Sequence, residues 1–233
     1  MAISHAKAHF QKRLAAQPVT AAAPISGSAA NAYELMLAKL AEDKRRLKDI
    51  QSIERKADVK RQLMPEYAAW IKGVLESDSG RQDDVLMTVF VWAIDTGAFA
   101  DALAIADYAI RHKLTMPDQY KRDVPTVLAE EIADYALKQD EPGLVALQPD
   151  VVRAIAITAD CDMPDEVRAK LHKANGYALR SAGQLAEARD ELERALQLHG
   201  KCGVKKDIER LETAIKNSST AVDAGKPAET GAG

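Results

Sequence analysis

Apolar residues along most of the chain recur at steps of three and four, which is the period of an α-helix with one buried face. One such series runs from Tyr33 to Ile50, and a second runs from Tyr67 to Leu75. Aromatic residues make up only 5% of the 233 residues, and alanine, leucine and charged residues dominate, a composition typical of helices rather than sheets. The sequence therefore predicts an all-α protein.

An internal repeat predicts how these helices are arranged. Residues 96–110 and 182–196 align without a gap, so that Gly97 matches Gly183 and several alanines coincide. Glycine permits a tight turn, and small residues such as alanine and Gly176 let paired helices approach closely. Further helices are predicted at 83–95, 125–138, 149–159, 164–181 and 207–216. Together these segments predict a tetratricopeptide-like stack of helical hairpins.

Charge is distributed unevenly along the chain. The net charge is −3, yet residues 1–62 hold twelve Lys or Arg and six Asp or Glu, which leaves the remainder strongly acidic. A cationic helix of this kind can neutralise phosphates, or it can be a solvated helix paired with its own interleaved acidic residues. Trp70, Trp92 and Tyr108 fall at apolar helical positions, which favours a place in the core over base stacking. The candidate DNA-binding residues are Lys39, Lys44, Arg45, Arg46, Lys48, Arg55, Lys56, Lys60 and Arg61.

Composition divides the chain into four segments. Residues 3–14 have the pattern of a short amphipathic helix, and the Ala, Ser, Thr and Pro residues that follow are typical of a linker. Pro65 is expected to break the basic helix or to start the next one. The predicted segments are a flexible arm and linker (1–30), a basic helical hairpin or rod for DNA binding or oligomerisation (31–64), a helical-repeat body (65–216) and a disordered tail (217–233).

Several classes of protein are excluded by motifs that the chain lacks. It has no GxxxxGK[ST] phosphate loop, no GxGxxG and no GxSxG, which excludes an ATP motor, a dinucleotide enzyme and a serine hydrolase of the usual kinds. Cys161 and Cys202 form no CxxC pair, so we expect a reducing compartment. The longest apolar run, 85–94, is too short to span a bilayer, and we expect a cytoplasmic protein without a membrane partner.

Acidic and histidine clusters provide the candidate metal ligands. His5 and His9 are four residues apart, and acidic groups occur at Asp83 and Asp84 and between Asp160 and Glu166. A metal-dependent nuclease needs two or three such carboxylates around a divalent ion. Acidic residues at helix starts more often cap the helix, so we expect no cofactor, and Mg²⁺ only if the chain itself cleaves DNA. The members of the second cluster are Asp160, Asp162, Asp165 and Glu166.

Five short strings, in order and with similar spacing, resemble one known family. They are LMP at 63–65, QDDVLMTV at 82–89, DTG at 95–97, LTMP at 114–117 and DMPDEVRAKLHK at 162–173. Together they resemble the small terminase subunit of Peduovirus-type temperate tailed phages, also called the terminase endonuclease subunit. The resemblance extends from about Tyr33 to about Leu211.

The resemblance implies a function for the basic segment. A small terminase subunit recognises concatemeric viral DNA at the cohesive-end site, commonly as a ring-like homo-oligomer, and acts with a large ATPase subunit to direct cleavage and packaging into procapsids in the host cytoplasm. The basic helix is then the expected DNA surface, and the hairpin across 49–59 is the candidate helix-turn-helix. No catalytic residue is carried over by the resemblance. Two alternatives remain open: a metal-dependent endonuclease in its own right, and a helical-repeat adaptor that binds only protein.

Overall fold

The computed structural model describes residue 12, residues 27–117 and residues 120–224. In these residues the chain forms nine helices and no strand, which confirms the all-α prediction. The helices are α1 (Gly27–Lys48), α2 (Ile53–Ser77), α3 (Asp84–Thr96), α4 (Phe99–Arg111), α5 (Val124–Ala136), α6 (Glu141–Ile157), α7 (Asp165–Ser181), α8 (Leu185–Leu198) and α9 (Lys205–Ala224).

The chain folds into two compact units, with the division between Leu128 and Ala129. In the first unit α1, α2 and α4 contribute buried faces around α3, in which every residue from Val85 to Ile94 is buried. This helix accounts for the longest apolar run of the sequence, because a helix that is apolar all round is a buried one. Among the helices described here, none is long and apolar enough to cross a membrane.

Two tight helical hairpins lie where the internal repeat predicts them, α3–α4 in the first unit and α7–α8 in the second. Their connecting glycines, Gly97 and Gly183, have left-handed backbone conformations with φ of 73° and 79°. Side chains with a Cβ atom are disfavoured there, which explains why both copies of the repeat have glycine. The hairpins are confirmed, and their assignment to the tetratricopeptide-like class stays a prediction.

The core of the second unit is built on the hairpin α7–α8. A Cβ atom at Gly176 would lie 2.6 Å from Cδ2 of Leu192, so the small residue allows α7 to pack directly against α8. Helix α9 closes the far side of this hairpin, as predicted for 207–216. The cluster consists of Leu179, Ala188, Leu192, Val204, Ile208 and Leu211.

Two prolines lie inside helices that they were expected to start or interrupt. Helix α2 runs through Pro65, and α6 begins at Glu141 and contains Pro149. A proline costs a helix one amide hydrogen bond, but in α2 this cost is offset by burial on both sides, at Leu63 and Tyr67. As a result α2 crosses the predicted limit at 64/65, and the basic helices belong to the same unit as the hairpin α3–α4.

The chain is helical beyond both predicted ends of the folded region. Helix α1 begins at Gly27 within the predicted linker, and α9 continues to Ala224 within the predicted disordered tail. The amphipathic helix predicted at 3–14, the pair His5 and His9, and the last nine residues of the tail lie outside the described residues, apart from Lys12.

Candidate nucleic-acid interface

Four of the nine candidate DNA-binding residues line one pocket of the first unit, with a volume of about 320 Å³. Lys44 and Lys48 extend from α1, and Lys56 and Lys60 extend from α2. We call this site the lysine pocket. The rest of its lining consists of Leu47, Thr88, Val91, Trp92 and Tyr120.

Helical spacing explains how two helices supply two lysines each. Residues four apart lie on the same face of a helix, so the pairs on α1 and α2 each project to one side. The two helices are joined by the short turn 49–52, and Ser52 ends the turn as the N-cap of α2. Its Oγ accepts a hydrogen bond of 3.2 Å from the Arg55 amide. The turn brings the predicted hairpin across 49–59 into place beside the pocket.

Helix α3 supplies the inner wall of the lysine pocket. Thr88 and Trp92 are both buried, and the Thr88 hydroxyl donates a hydrogen bond of 2.7 Å to the carbonyl oxygen of Asp84. The Trp92 ring packs edge-on against Tyr67 at a centroid distance of 5.7 Å. Trp70 and Tyr108 are buried as well, which confirms the prediction that these aromatic residues belong to the core.

Most of the positive charge in the lysine pocket is uncompensated. Lys60 pairs with the Asp95 carboxylate at the end of α3. Within the described part of the chain, no carboxylate lies within 4 Å of the ammonium groups of Lys44, Lys48 or Lys56. Three of the four lysines that line this pocket therefore have no carboxylate partner among the described residues, an arrangement that favours binding of an anionic ligand.

The other five candidate residues lie elsewhere on the first unit. Arg45, Arg46 and Arg55 are exposed and lie outside the pocket lining. Arg61 pairs with Asp58 at 2.6 Å. Only some of the predicted basic residues therefore share one site.

Lys39 belongs to a network of internal contacts. Its ammonium group lies 2.6 Å from the buried Asp43 carboxylate and 3.2 Å from Glu66, and 4.4 Å from the centre of the Tyr67 ring. The Tyr67 hydroxyl donates a hydrogen bond to Asp43, and burial together with this carboxylate raises the pKa of Tyr67 above its usual range. These contacts tie α1 to α2 and leave Lys39 outside the lysine pocket.

The first acidic cluster is engaged at the start of α3. Asp83 is the N-cap of this helix, and its buried carboxylate accepts hydrogen bonds from the Leu86 amide at 2.8 Å and from Trp70 Nε1 at 3.0 Å. Burial raises the pKa of Asp83 above its ordinary value. This geometry confirms the capping interpretation for Asp83.

The second acidic cluster lies in the other unit, around the start of α7. Its carboxylates at 160, 162, 165 and 166 are exposed, and Asp165 and Glu166 occupy the first turn of the helix, where negative charge is favourable. The N-cap of α7 is Pro164, so none of these side chains caps the helix end. Among the residues that the structure describes, no three His, Cys, Asp or Glu side chains come together as metal ligands would.

Comparison with known proteins assigns the family. The model of the phage small terminase subunit family matches residues 37–166, which include the whole lysine pocket. The chain belongs to the phage small terminase subunit family. Membership confirms the resemblance seen in the sequence and makes the chain a terminase component that acts in packaging phage DNA.

Two relatives of this terminase subunit agree with the assignment. "Terminase, endonuclease subunit" of Escherichia phage P2 is 49% identical over 187 residues, which are 80% of this chain and 76% of the relative. "Probable terminase, endonuclease subunit" of Haemophilus phage HP1 is 26% identical over 195 residues, which are 77% of this chain and 69% of the relative. No solved structure matches the chain.

Sequence reasoning missed the residues that complete the lysine pocket. Thr88 and Trp92 are four apart on α3, a spacing that places them on one face, but nothing in the sequence indicates that this face meets α1 and α2. Tyr120 lies in the segment between α4 and α5, and Asp95 pairs with a lysine 35 positions away. The periodicity of a single helix does not predict contacts between residues that are far apart in the sequence.

Proposed function

We propose that the lysine pocket holds the phosphate backbone of double-stranded viral DNA at the cohesive-end site. The observation that carries this proposal is the convergence of Lys44, Lys48 and Lys56, without carboxylate partners in the described residues, on one pocket. Ammonium groups attract phosphate oxygens, and release of counterions from the DNA supplies much of the free energy of binding.

Lysine contacts to phosphates fix the position of a protein on DNA but do not read the base sequence. We assign base reading to the hairpin across 49–59, whose second helix begins beside the pocket. The position of the turn between α1 and α2 supports this assignment, since a helix whose first residues face DNA can reach base edges in the major groove. In this proposal the lysine pocket positions the protein on the DNA backbone, and the hairpin recognises the base sequence.

We further propose that the subunit assembles as a homo-oligomeric ring in the host cytoplasm and delivers DNA to the large ATPase subunit. The family assignment supports both steps. In this proposal the chain contributes recognition to the endonuclease complex and does not cut DNA itself. The engagement of Asp83 in capping and its hydrogen bond to Trp70 support this division of labour.

Fluorescence anisotropy with cohesive-end DNA tests the lysine pocket directly. The variant K44E/K48E/K56E reverses three pocket charges, and K201E/K205E/K206E makes the same change in net charge at exposed lysines of the second unit. We expect the pocket variant to lose at least about tenfold in affinity, and the slope of log K against log salt concentration to fall by about 3. Equal losses in the two variants would contradict the proposal.

The same purified protein separates the alternatives. Incubation of the subunit alone with Mg²⁺ or Mn²⁺ and cohesive-end DNA is expected to leave the DNA uncut, and nicking by the subunit would establish an endonuclease in its own right. Light scattering is expected to give a discrete mass above that of one chain. Capture of the large subunit by a protein that retains no DNA would instead favour the adaptor that binds only protein.

A further inference from the structure

A second concave site of the first unit is an apolar groove of about 820 Å³. It lies between the C-terminal part of α2 and the turn and helix that follow α3. This apolar groove is separate from the lysine pocket, since the two share no lining residue. Its apolar lining includes Met64, Ile71, Leu75, Val89, Ala104 and Ile105.

Charged side chains surround the apolar groove, and one of them binds a residue from the N-terminal segment. The charged lining residues are Arg61, Lys72, Glu76 and Asp101. The Glu76 carboxylate lies 2.9 Å from the ammonium group of Lys12, which is the one residue before Gly27 that the structure describes. Lys12 therefore lies at the edge of the groove, in a contact within the same chain.

The sequence around Lys12 has the pattern that such a groove accepts. Ala6, Phe10 and Leu14 recur at steps of four, so a helix over 3–14 has one apolar side, and Lys12 lies opposite it. Residues 15–26 can span roughly 40 Å when extended, which is enough to connect this helix to the start of α1. Amphipathic helices commonly bind by placing an apolar face in a groove of this kind.

We propose that the apolar groove is the docking site of this chain's own N-terminal segment, residues 3–14. In this arrangement Phe10 and Leu14 face the groove. Lys12 lies on the opposite side of the helix, and its long side chain reaches back to the groove edge to form the ion pair with Glu76. The segment thereby covers apolar surface of α2 and α4, independently of how the lysine pocket binds DNA.

Photochemical cross-linking of the full chain tests the docking. Benzoylphenylalanine replaces Phe10, and in a matched control it replaces Ala8, which is two positions away and therefore on the opposite side of the predicted helix. We expect irradiation to link position 10 mainly to residues 61–76 and 96–105, with a yield several-fold above that from position 8. Links from position 10 to other surfaces, or no preference over position 8, would overturn the proposal.

Mixed isotopes identify the chain that supplies the segment. When ¹⁵N-labelled and unlabelled protein are mixed and allowed to exchange, we expect each cross-linked pair of peptides to carry one label only. Pairs with both labels would overturn docking within one chain and indicate exchange of the segment between copies. The charge reversal K12E is expected to lower the cross-link yield several-fold, and K12E/E76K is expected to restore it.

Methyl NMR gives a second readout that does not depend on cross-linking. In F10D/L14D the methyl signals of Ile71, Leu75 and Ile105 are expected to shift, whereas those of Leu192 and Ile208 in the other unit stay in place. The conservative variant F10L/L14M is expected to leave all of these signals near their original positions. Groove signals that do not respond to F10D/L14D would contradict the docking.

Discussion

The indole Nε1 of Trp70 donates a hydrogen bond of 3.0 Å to Oδ2 of Asp83, and this bond joins α2 to the start of α3. The other carboxylate oxygen of Asp83 accepts from the Leu86 amide, so one side chain caps a helix and connects it to its neighbour. On its other side, Trp70 stacks with Tyr33 of α1 at a centroid distance of 5.9 Å. The Tyr33 hydroxyl accepts a hydrogen bond from the Asp84 amide, and burial raises the pKa of Tyr33 to about 12.

Removal of the Asp83 carboxylate is expected to destabilise the first unit. D83A loses an N-cap, which costs about 1 kcal/mol, and leaves the buried Trp70 N–H without an acceptor, which costs about 1–3 kcal/mol. Urea unfolding is therefore expected to show a loss of about 2–4 kcal/mol. The control D84A removes an exposed side chain, and its effect is expected to be below about 1 kcal/mol. Equal effects of the two variants would argue against the structural role of Asp83.

The raised pKa of Asp83 predicts a pH dependence of stability. Above the ordinary value of 3.8 and below the raised pKa, the folded protein binds more protons at Asp83 than the unfolded chain does. The free energy of unfolding contributed by this group therefore falls as pH rises through that window and becomes constant above it. D83N keeps an N-cap but cannot titrate. The free energy of unfolding of the wild type minus that of D83N is thus expected to fall as pH rises from about 4. A rise of this quantity with pH would contradict the burial of a carboxyl group at this position.

Substitution of Lys39 is expected to lower mainly the stability of the protein, and substitution of Lys44 mainly its affinity for DNA. K39M leaves the buried Asp43 without its ammonium partner, and we expect a loss of about 1–3 kcal/mol in urea unfolding. K44M removes a pocket lysine without an internal ion pair and is expected to change stability by less than about 0.5 kcal/mol. DNA anisotropy is expected to show the reverse order, with the larger loss of affinity in K44M. If folded K39M lost more DNA affinity than K44M, Lys39 would have to be counted among the DNA-binding residues.

Asp95 is expected to weaken DNA binding in the wild-type protein. D95N releases Lys60 from its ion pair and removes a negative charge next to the lysine pocket. We expect DNA affinity to rise several-fold at low salt, with a salt slope steeper by up to about 1. D58N makes the same charge change at the partner of Arg61, outside the pocket, and serves as the control. If D58N strengthens binding as much as D95N, the gain reflects net charge alone.

Gly176 is expected to tolerate no side chain. In G176A the new Cβ would lie 2.6 Å from Cδ2 and 2.8 Å from Cγ of Leu192, which is fully buried and has little room to move. Such overpacking costs about 1–3 kcal/mol, and thermal unfolding is expected to show it. The double variant G176A/L192A is expected to lose less stability than the sum of its two single variants, because the smaller residue removes the clash. Strict additivity would mean that the loss in G176A does not arise from contact with Leu192.

The hairpins could be predicted because their signals are local. Gly97 and Gly183 are required by the left-handed turn itself, so the repeat that contains them predicts both turns correctly. The interruption expected at Pro65 was wrong because tertiary burial around the proline outweighs one lost hydrogen bond. The helix ends at Gly27 and Ala224 were missed because both ends mix alanine, a strong helix former, with Gly, Ser, Thr and Asn, which are poorer ones, so composition there gives no clear signal.

The candidate site could be predicted as a set of charges but not as a site. Spacing by four predicts that Lys44 and Lys48 share a face, and the same holds for the lysines of α2. Lys39 is held outside the lysine pocket in part by Glu66, and Lys60 is paired with Asp95. Both acidic residues lie far from these lysines in the sequence. Packing between helices decides which basic side chains have no acidic partner. The periodicity of a single sequence does not predict that packing.

Helix α2 joins both concave sites of the first unit through one continuous span. Its 25 residues extend roughly 37 Å, with Lys56 and Lys60 in the half before Pro65 and Ile71 and Leu75 in the half after it. Because proline has no amide hydrogen, the carbonyl of Arg61 loses its usual partner, and the rod is easiest to bend there. The two sites therefore lie on opposite sides of the point in α2 where bending breaks no amide hydrogen bond, so the angle between them is set by the least constrained turn of the helix.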